Sequence, residues 1–496
     1  MTEQPQHVLL IDVDGLRPDV FANALEAGRL PHLAQLLGGA ELERGLLYPV
    51  LAPAPSITFA SQASLITGAH PSQHGIAGNQ FFDRFGRYNA GEARLYAFDI
   101  GDTWEADDAI RVFTEGLADR FLEVPTLYEH LALKGRRSAV VGHMYGRGAD
   151  PWLRPAVFNL ARLTKGKGIF GLSAEEYDRR VLDEALGFLA EDGLPDLFLM
   201  YFMGVDHESH ARGPRAQLAY LIDVIDPLVG ELWEAVLASI RTPGAPAPLC
   251  AIFSDHGQIR MPEDDARTLR LAFPFKREIG HVFDGLGLDV HDFPGEDPHT
   301  EAVVASNGGM ALVYLQKHGG RWVEPPGFEH DVLPVGRAFW EAHLSGRYAS
   351  ELQGSLAGVL VRDVEKHGWS APYLALTSQG ERLSLAEWFR QQPAGQYVDP
   401  VHRLNNLAGP SSGDLLLISN YADGFYFGGP MAGVHGGLHP EDSAATLALG
   451  WPGVPEGDWL KVGADFITAI QDRCQREGER QPATADLVTG LLAVLE

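Results

Sequence analysis

The chain has 496 residues, with 39 Lys and Arg against 66 Asp and Glu, and a formal net charge of −27. So large a negative surplus excludes a protein that coats nucleic acid, because polyphosphate binding relies on basic patches that release counterions. Hydrophobic residues at 45% and charged residues at 21% are globular values, so wholesale disorder is excluded, and the length allows a large core and more than one domain. Cys250 and Cys474 allow one disulfide bridge at most. The opening MTEQPQHVLLIDVDG has no basic stretch before its apolar run, which Asp12 soon interrupts, so a cytoplasmic location is expected. The longest apolar runs, such as residues 197–205, are about half the roughly 20 residues of a membrane span, and no span is predicted.

Six short apolar runs stop abruptly at polar or glycine residues, as strands buried on both faces of a parallel sheet do. They are residues 7–13, 138–142, 197–205, 249–253, 414–419 and 445–449. Residues 125–134 and 174–189 repeat apolar positions at three and four, the helical spacing. Strand and helix in alternation predict an α/β fold with a mostly parallel central sheet flanked by helices. Residues 261–413 are less regular, with turn-rich pieces around short strands at 310–315 and 358–361, and read as an inserted smaller α+β subdomain. The core of residues 1–260 then resumes over residues 414–496 and ends in helices at 464–480 and 484–495.

In such a sheet a ligand lies beyond the carboxyl ends of the strands, and reactive residues fall there repeatedly. Asp14 ends the first strand; Asp12, two residues earlier, shares its face, and the strand-terminal residue is the better candidate. Asp206 and His210 follow the 197–205 strand, four apart, close enough to bind one metal from a helical turn or a tight loop, with His207 as a supporting group. Asp255, His256 and Gly257 follow the 249–253 strand; adjacent side chains on a strand diverge, so a joint role requires a backbone turn here. His435 sits in the glycine-rich loop GVHGGLHPED, with His439 as its competitor. Thr58 begins a helix-like segment closing at Gly68; its plain role is an N-cap, and its reactive role is a hydroxyl at the positive end of a helix. Three Asp, three His and one such hydroxyl suit two divalent ions that clamp the attacking and leaving oxygens of a phosphoryl transfer.

The order of these motifs resembles the alkaline phosphatase superfamily, and within it the type I phosphodiesterase and nucleotide pyrophosphatase family. That pattern runs here as Asp14-Gly15, then Thr58 with Thr67-Gly68 and His74-Gly75, then Asp206 to His210, then Asp255-His256-Gly257, then His435-Gly436. The resemblance implies that Asp206, His210 and His435 hold one metal, and that Asp14, Thr58, Asp255 and His256 hold the other. It also implies that Asn79, in the HGIAGN segment, hydrogen-bonds a phosphoryl oxygen. Zinc is the expected metal for such a mixed nitrogen and oxygen set, with manganese as the alternative. There are departures: Ile57 stands where pyrophosphatases of the family often carry Lys, and Thr58 with Gln62 stand where sulfatases carry Cys or Ser with Arg. A formylglycine sulfatase is thus disfavoured.

The expected activity is a two-metal phosphohydrolase that cleaves phosphodiester or pyrophosphate bonds of small, nucleotide-type molecules through a phospho-threonine at Thr58. No Lys or Arg cluster lies near the motifs to neutralise a phosphomonoester dianion, which favours monoanionic diesters. Phosphomonoester hydrolysis and phosphonate cleavage of the phosphonoacetate type remain the alternatives, because the same residues serve all three. A catalytically silent metal- or ligand-binding protein is the alternative of another class. Substrate selectivity is expected from a pocket wall contributed by residues 261–413. The negative charge of the chain favours small substrates over nucleic-acid polymers.

Overall fold

The computed structural model describes residues 4–39, 41–99, 107–163, 171–242, 244–270, 277–291 and 299–495. Its two large sheets are built from β1 (Val8–Val13), β2 (Gly45–Leu47), β3 (Ser138–Val141), β4 (Trp152–Leu153), β5 (Leu197–Phe202), β6 (Leu249–Phe253), β7 (Val290–His291), β8 (Ala302–Asn307), β9 (Met310–Leu315), β10 (Leu356–Arg362), β11 (Tyr373–Leu376), β12 (Arg382–Ser384), β13 (Leu415–Ser419) and β14 (Leu447–Gly450). The helices that frame them are α1 (Pro31–Leu36), α2 (Thr58–Thr67), α3 (Leu127–Leu133), α4 (Ala174–Asp192), α5 (Gly204–Arg212), α6 (Asp226–Ser239), α7 (Leu333–Ser345), α8 (Glu456–Glu477) and α9 (Asp486–Leu495).

The main sheet has the order β2-β14-β6-β1-β5-β3-β4. β6, β1, β5, β3 and β4 run parallel, while β14 is antiparallel to both β6 and β2. Every residue of β1 is buried, and its side chains alternate between two cores: Val8 and Leu10 on one face, Leu9, Ile11 and Val13 on the other. That is why the run reads as continuously apolar. This is the expected α/β architecture, with helices on the main sheet.

The second sheet, β7-β8-β9-β13-β10-β11-β12, is antiparallel apart from the β7–β8 pair. It corrects one expectation. The chain does not return to the main sheet at residue 414: β13 lies in the middle of the second sheet, bonded to β9 and β10, and β14 is the strand that rejoins the main sheet. Residues 415–419 are buried on both faces in their actual sheet, and a run of that kind carries no mark of which sheet it enters.

The 197–205 run is shorter as a strand than expected, since β5 ends at Phe202 and Val205 already belongs to α5. Cys250 in β6 and Cys474 in α8 are both buried and unbridged. Among the described residues no helix is long and apolar enough to cross a membrane.

Candidate functional site

Three parallel strands of the main sheet end at one edge, and the chain turns there each time. Past the end of β1 the Asp14 N–H still donates to the Phe202 carbonyl (2.9 Å), which holds the carboxylate beside the end of β5. Gly15 follows at φ +68°, and a Cβ there would lie 2.9 Å from Asp206 Oδ1, so a side chain at this position would push the two segments apart. α5 begins two residues beyond β5, and one helical turn sets His210 Nε2 3.2 Å from Asp206 Oδ2. After β6 the backbone turns, so that neighbouring Asp255 and His256 face one centre. Asp255 Oδ1 accepts from the Gly15 N–H (3.1 Å), and Oδ2 lies 3.2 Å from His256 Nε2.

Thr58 is the first residue of α2, not its N-cap. Ile57 holds the cap position without a capping side chain, and the Phe59 N–H donates instead to Asn79 Oδ1 at 2.9 Å. Thr58 is therefore free of capping duty, and its Oγ1 lies 3.2 Å from His256 Nε2. His435 closes the centre, with its Nε2 3.2 Å from His210 Nε2 and 3.7 Å from Asp206 Oδ1. The structure thus brings together Asp14, Thr58, Asp206, His210, Asp255, His256 and His435, with Asn79 at the start of α2.

The three imidazoles share one hydrogen-bond pattern. Nδ1 of His210 faces the Gly433 carbonyl at 2.8 Å, that of His256 the Gly257 carbonyl at 2.9 Å, and that of His435 the Ser56 carbonyl at 3.1 Å. A carbonyl only accepts, so each Nδ1 carries a hydrogen and each ring turns its Nε2 to the centre, where the nitrogen offers a lone pair whenever the ring is neutral. Two such nitrogens 3.2 Å apart repel unless a cation or a proton stands between them. The carboxylates make the same demand. Burial raises Asp14 and Asp255, and for Asp14 the Asp255 charge adds to it. Burial would also raise Asp206, but His210, and after it His435 and His256, hold it far below the usual range.

Among the described residues no Lys or Arg forms an ion pair with any of these three Asp, whose partners are imidazoles. Asp14 Oδ1 and Asp255 Oδ2 are buried without a hydrogen-bond partner. Buried carboxylate oxygens and inward-facing Nε2 atoms with no Lys or Arg beside them are the donor set of divalent metal ions. Two groups, Asp206 with His256 and His435, and Asp14 with Asp255 and His256, each have ligand atoms within 4.8 Å of one another.

The competing candidates lie elsewhere. Asp12 is buried beneath the centre, with Oδ2 3.7 Å from His143 Nε2. His439 caps a short helix through a bond from the Glu441 N–H (3.2 Å). His74 bonds Ser64 (3.1 Å) and is buried, which pushes its imidazole down to about 3. His70, His402 and Glu479 also converge, but Arg473 donates to Glu479 Oε2 at 2.6 Å and balances its charge, so no cation is called for there.

Three supporting residues are not among the candidates read from the sequence. Tyr201 donates its hydroxyl to Asp14, but stands in the apolar run LFLMYF and reads as core. Asp99 accepts from Asn79 Nδ2 (3.2 Å) across twenty residues. Gln258 donates to Asp206 and had a signal, its place directly after Asp255-His256-Gly257.

A cavity of about 420 Å³ opens beside the centre. Asn79, Asp206, His210 and His435 form its polar side; Leu160, Leu163, Met203, Tyr426, Phe427 and Met431 form much of its apolar side. This corrects the expected wall: of the described residues 261–413 only Gly308 lines it, since the second sheet reaches the cavity mainly through the loop after β13.

Fold and site together define an alkaline-phosphatase-like α/β protein with its reactive groups at the carboxyl edge of the main sheet. The model of the type I phosphodiesterase / nucleotide pyrophosphatase family matches residues 8–373, and the chain belongs to that family. A curated relative, an uncharacterized pyrophosphatase/phosphodiesterase of Schizosaccharomyces pombe, is 29% identical over 269 residues, 53% of this chain and 47% of that protein, so the match spans about half of the relative's length. Murine ectonucleotide pyrophosphatase / phosphodiesterase 5, solved as an inactive variant in complex with AMP, superposes with a TM-score of 0.53 at 12% identity over 99% of this chain and 95% of the other. Phosphonoacetate hydrolase from Sinorhizobium meliloti, in complex with phosphonoformate, gives 0.52 at 15% identity over 99% and 97%. At these identities the two structures speak for the fold alone.

Proposed function

We propose that this chain is a metal-dependent phosphohydrolase that cleaves phosphodiester or pyrophosphate bonds of small, nucleotide-type molecules through a phospho-threonine at Thr58. The observation that carries this reading is the convergence of three inward-facing Nε2 atoms and two unpartnered carboxylate oxygens beside the Thr58 hydroxyl. Asp206, His210 and His435 would hold one divalent ion, and Asp14, Thr58, Asp255 and His256 the other, with zinc favoured by the mixed donors and manganese the alternative. Such ions supply the positive charge that acidifies a bound hydroxyl and neutralises phosphoryl oxygens.

The chain's own groups do the rest. The Thr58 oxygen, at the positive end of α2, gives up its proton to solvent and forms a bond to phosphorus as the bond to the leaving oxygen breaks; the electron pair departs with that oxygen, which takes up a proton from solvent. Asn79 is held by the Phe59 N–H on one side and by Asp99 on the other, which leaves one amide hydrogen for a phosphoryl oxygen as charge builds there. Water then hydrolyses the phospho-threonine and restores the hydroxyl. The apolar side of the cavity, with Tyr426 and Phe427, suits the organic substituent of a diester.

The test is turnover of bis-p-nitrophenyl phosphate, p-nitrophenyl phosphate and phosphonoacetate by metal-stripped protein resupplied with zinc or manganese. Metal-dependent turnover fastest on the diester is the expected result, with Thr58→Ala losing at least about a thousandfold in kcat while still binding metal. Preference for the monoester or the phosphonate would transfer the reading to that reaction at the same residues. No metal-dependent turnover of any of the three would leave a silent binding protein.

A further inference from the structure

We infer that Asp178 is a positioning residue whose carboxylate caps α5 from outside that helix and thereby fixes the place of Asp206 and His210. This rests on the reading of those two side chains as metal ligands. α5 starts at Gly204 with Met203 in the cap position, and a thioether offers the first-turn amides no useful acceptor. Asp178, fully buried on α4, supplies an acceptor at the helix entry: Oδ1 accepts from the N–H of Met203, the cap residue itself, at 3.2 Å, and Oδ2 accepts from the Tyr220 hydroxyl at 2.9 Å. A Cβ on Gly204 would lie 2.4 Å from Asp178 Oδ2 and 2.1 Å from the Tyr220 oxygen. The helix begins on the residue type that leaves carboxylate and phenol room at its first turn.

A buried carboxylate is costly unless bonded, and Asp178 accepts at the entry of α5 and from the phenol that steadies it. Met203 is three residues ahead of Asp206 and seven ahead of His210, so a shift or fraying at the helix start moves both side chains relative to His435 and Asp14. The nucleophile's helix uses the same device. α2 has no capping side chain at Ile57, and Asn79 takes the Phe59 N–H from outside. Both helices that deliver reactive side chains are thus anchored at their starts by residues distant in sequence.

Zinc binding to the full chain tests this, by elemental analysis for stoichiometry and chelator competition for affinity, with thermal unfolding of each variant recorded in parallel. Wild type is expected to bind two zinc ions, and Asp178→Ala to bind one of them about 10- to 100-fold more weakly while the other is unchanged. Asp178→Asn, which keeps an oxygen acceptor, is expected to rescue most of that loss. Tyr220→Phe removes the hydroxyl that holds Asp178 and is expected to weaken the same ion about threefold, so the test survives if Asp178→Ala does not fold. Wild-type affinity in Asp178→Ala, or in Tyr220→Phe where the former does not fold, overturns the positioning role whatever the melting temperature does. Absence of zinc from the wild type overturns the ligand assignment itself.

Discussion

His210 stands between opposing influences. Burial would push its imidazole down, but the Asp206 charge and hydrogen bond carry it up to about 9. The metal-free centre therefore favours a proton on His210 at neutral pH, and an ion bound there as proposed would have to displace it. The sign follows directly: below about pH 9 proton and metal compete, so apparent affinity falls by up to about tenfold per unit of decreasing pH, and above it the dependence levels off. His435 adds no such competition, because burial and then His256 push it well below the ordinary range. The check is a zinc competition titration across this range, paired with calorimetry in buffers of different ionisation heat, where about one released proton per ion is expected at neutral pH. An affinity independent of pH would exclude His210 as a ligand. The convergence of Asp14, Asp206, His210, Asp255, His256 and His435 was legible because each follows an abrupt strand end or sits in a glycine-rich loop. Tyr201 and Asp99 were not, because a tyrosine inside an apolar strand and an aspartate twenty residues from its partner carry no local pattern.

Helix starts show where local sequence stops informing. α3 and α4 are capped from within: Thr126 bonds the Glu129 N–H and Ser173 the Glu176 N–H (both 3.1 Å), and each Glu reaches back, a spacing visible in the chain. α1, α2 and α5 begin after Leu30, Ile57 and Met203, which offer no capping bond, and take caps from Asp226, Asn79 and Asp178, residues remote in sequence. Folding brings these partners together, so no reading along the chain finds them. β13 failed for the same reason, since its partners β9 and β10 are chosen by packing. At α1, Asp226 Oδ1 accepts from the Leu33 N–H at 2.8 Å and the His32 N–H at 3.1 Å. Asp226→Ala is expected to lower stability by about 1 to 2 kcal/mol in denaturant unfolding, with kcat and metal affinity unchanged. A loss below about 0.3 kcal/mol would mean that water satisfies those amides equally well.

The two sheets share one interior. A single hydrophobic cluster takes in Leu199 and Tyr201 from the main sheet, Phe81, Phe98 and Phe121 between, and Leu312, Tyr314 and Leu416 from the second sheet. Ring contacts continue the path, with Phe81 5.1 Å from Phe121 and Phe82 5.5 Å from Tyr314. Asn307, fully buried at the tip of β8, ties the second sheet to the segment that follows α2: its Oδ1 accepts from the Gln80 N–H (3.1 Å) and its Nδ2 donates to the Gln80 carbonyl (3.0 Å). Two residues on, the Gly309 N–H donates to the His435 carbonyl (3.0 Å), so the same hairpin steadies the loop of a proposed ligand. The irregular, turn-rich patterning of residues 261–413 reads as an inserted subdomain, yet aromatic rings from both sheets are buried in one cluster, so each half is expected to depend on the other. Calorimetry of the full chain is therefore expected to give one transition. Asn307→Ala is expected to lower that transition through a loss of about 1 to 3 kcal/mol, from the two buried hydrogen bonds to Gln80 that it removes, while keeping it single. Two resolved transitions in the wild type would show that the sheets unfold independently and that the shared cluster does not couple them.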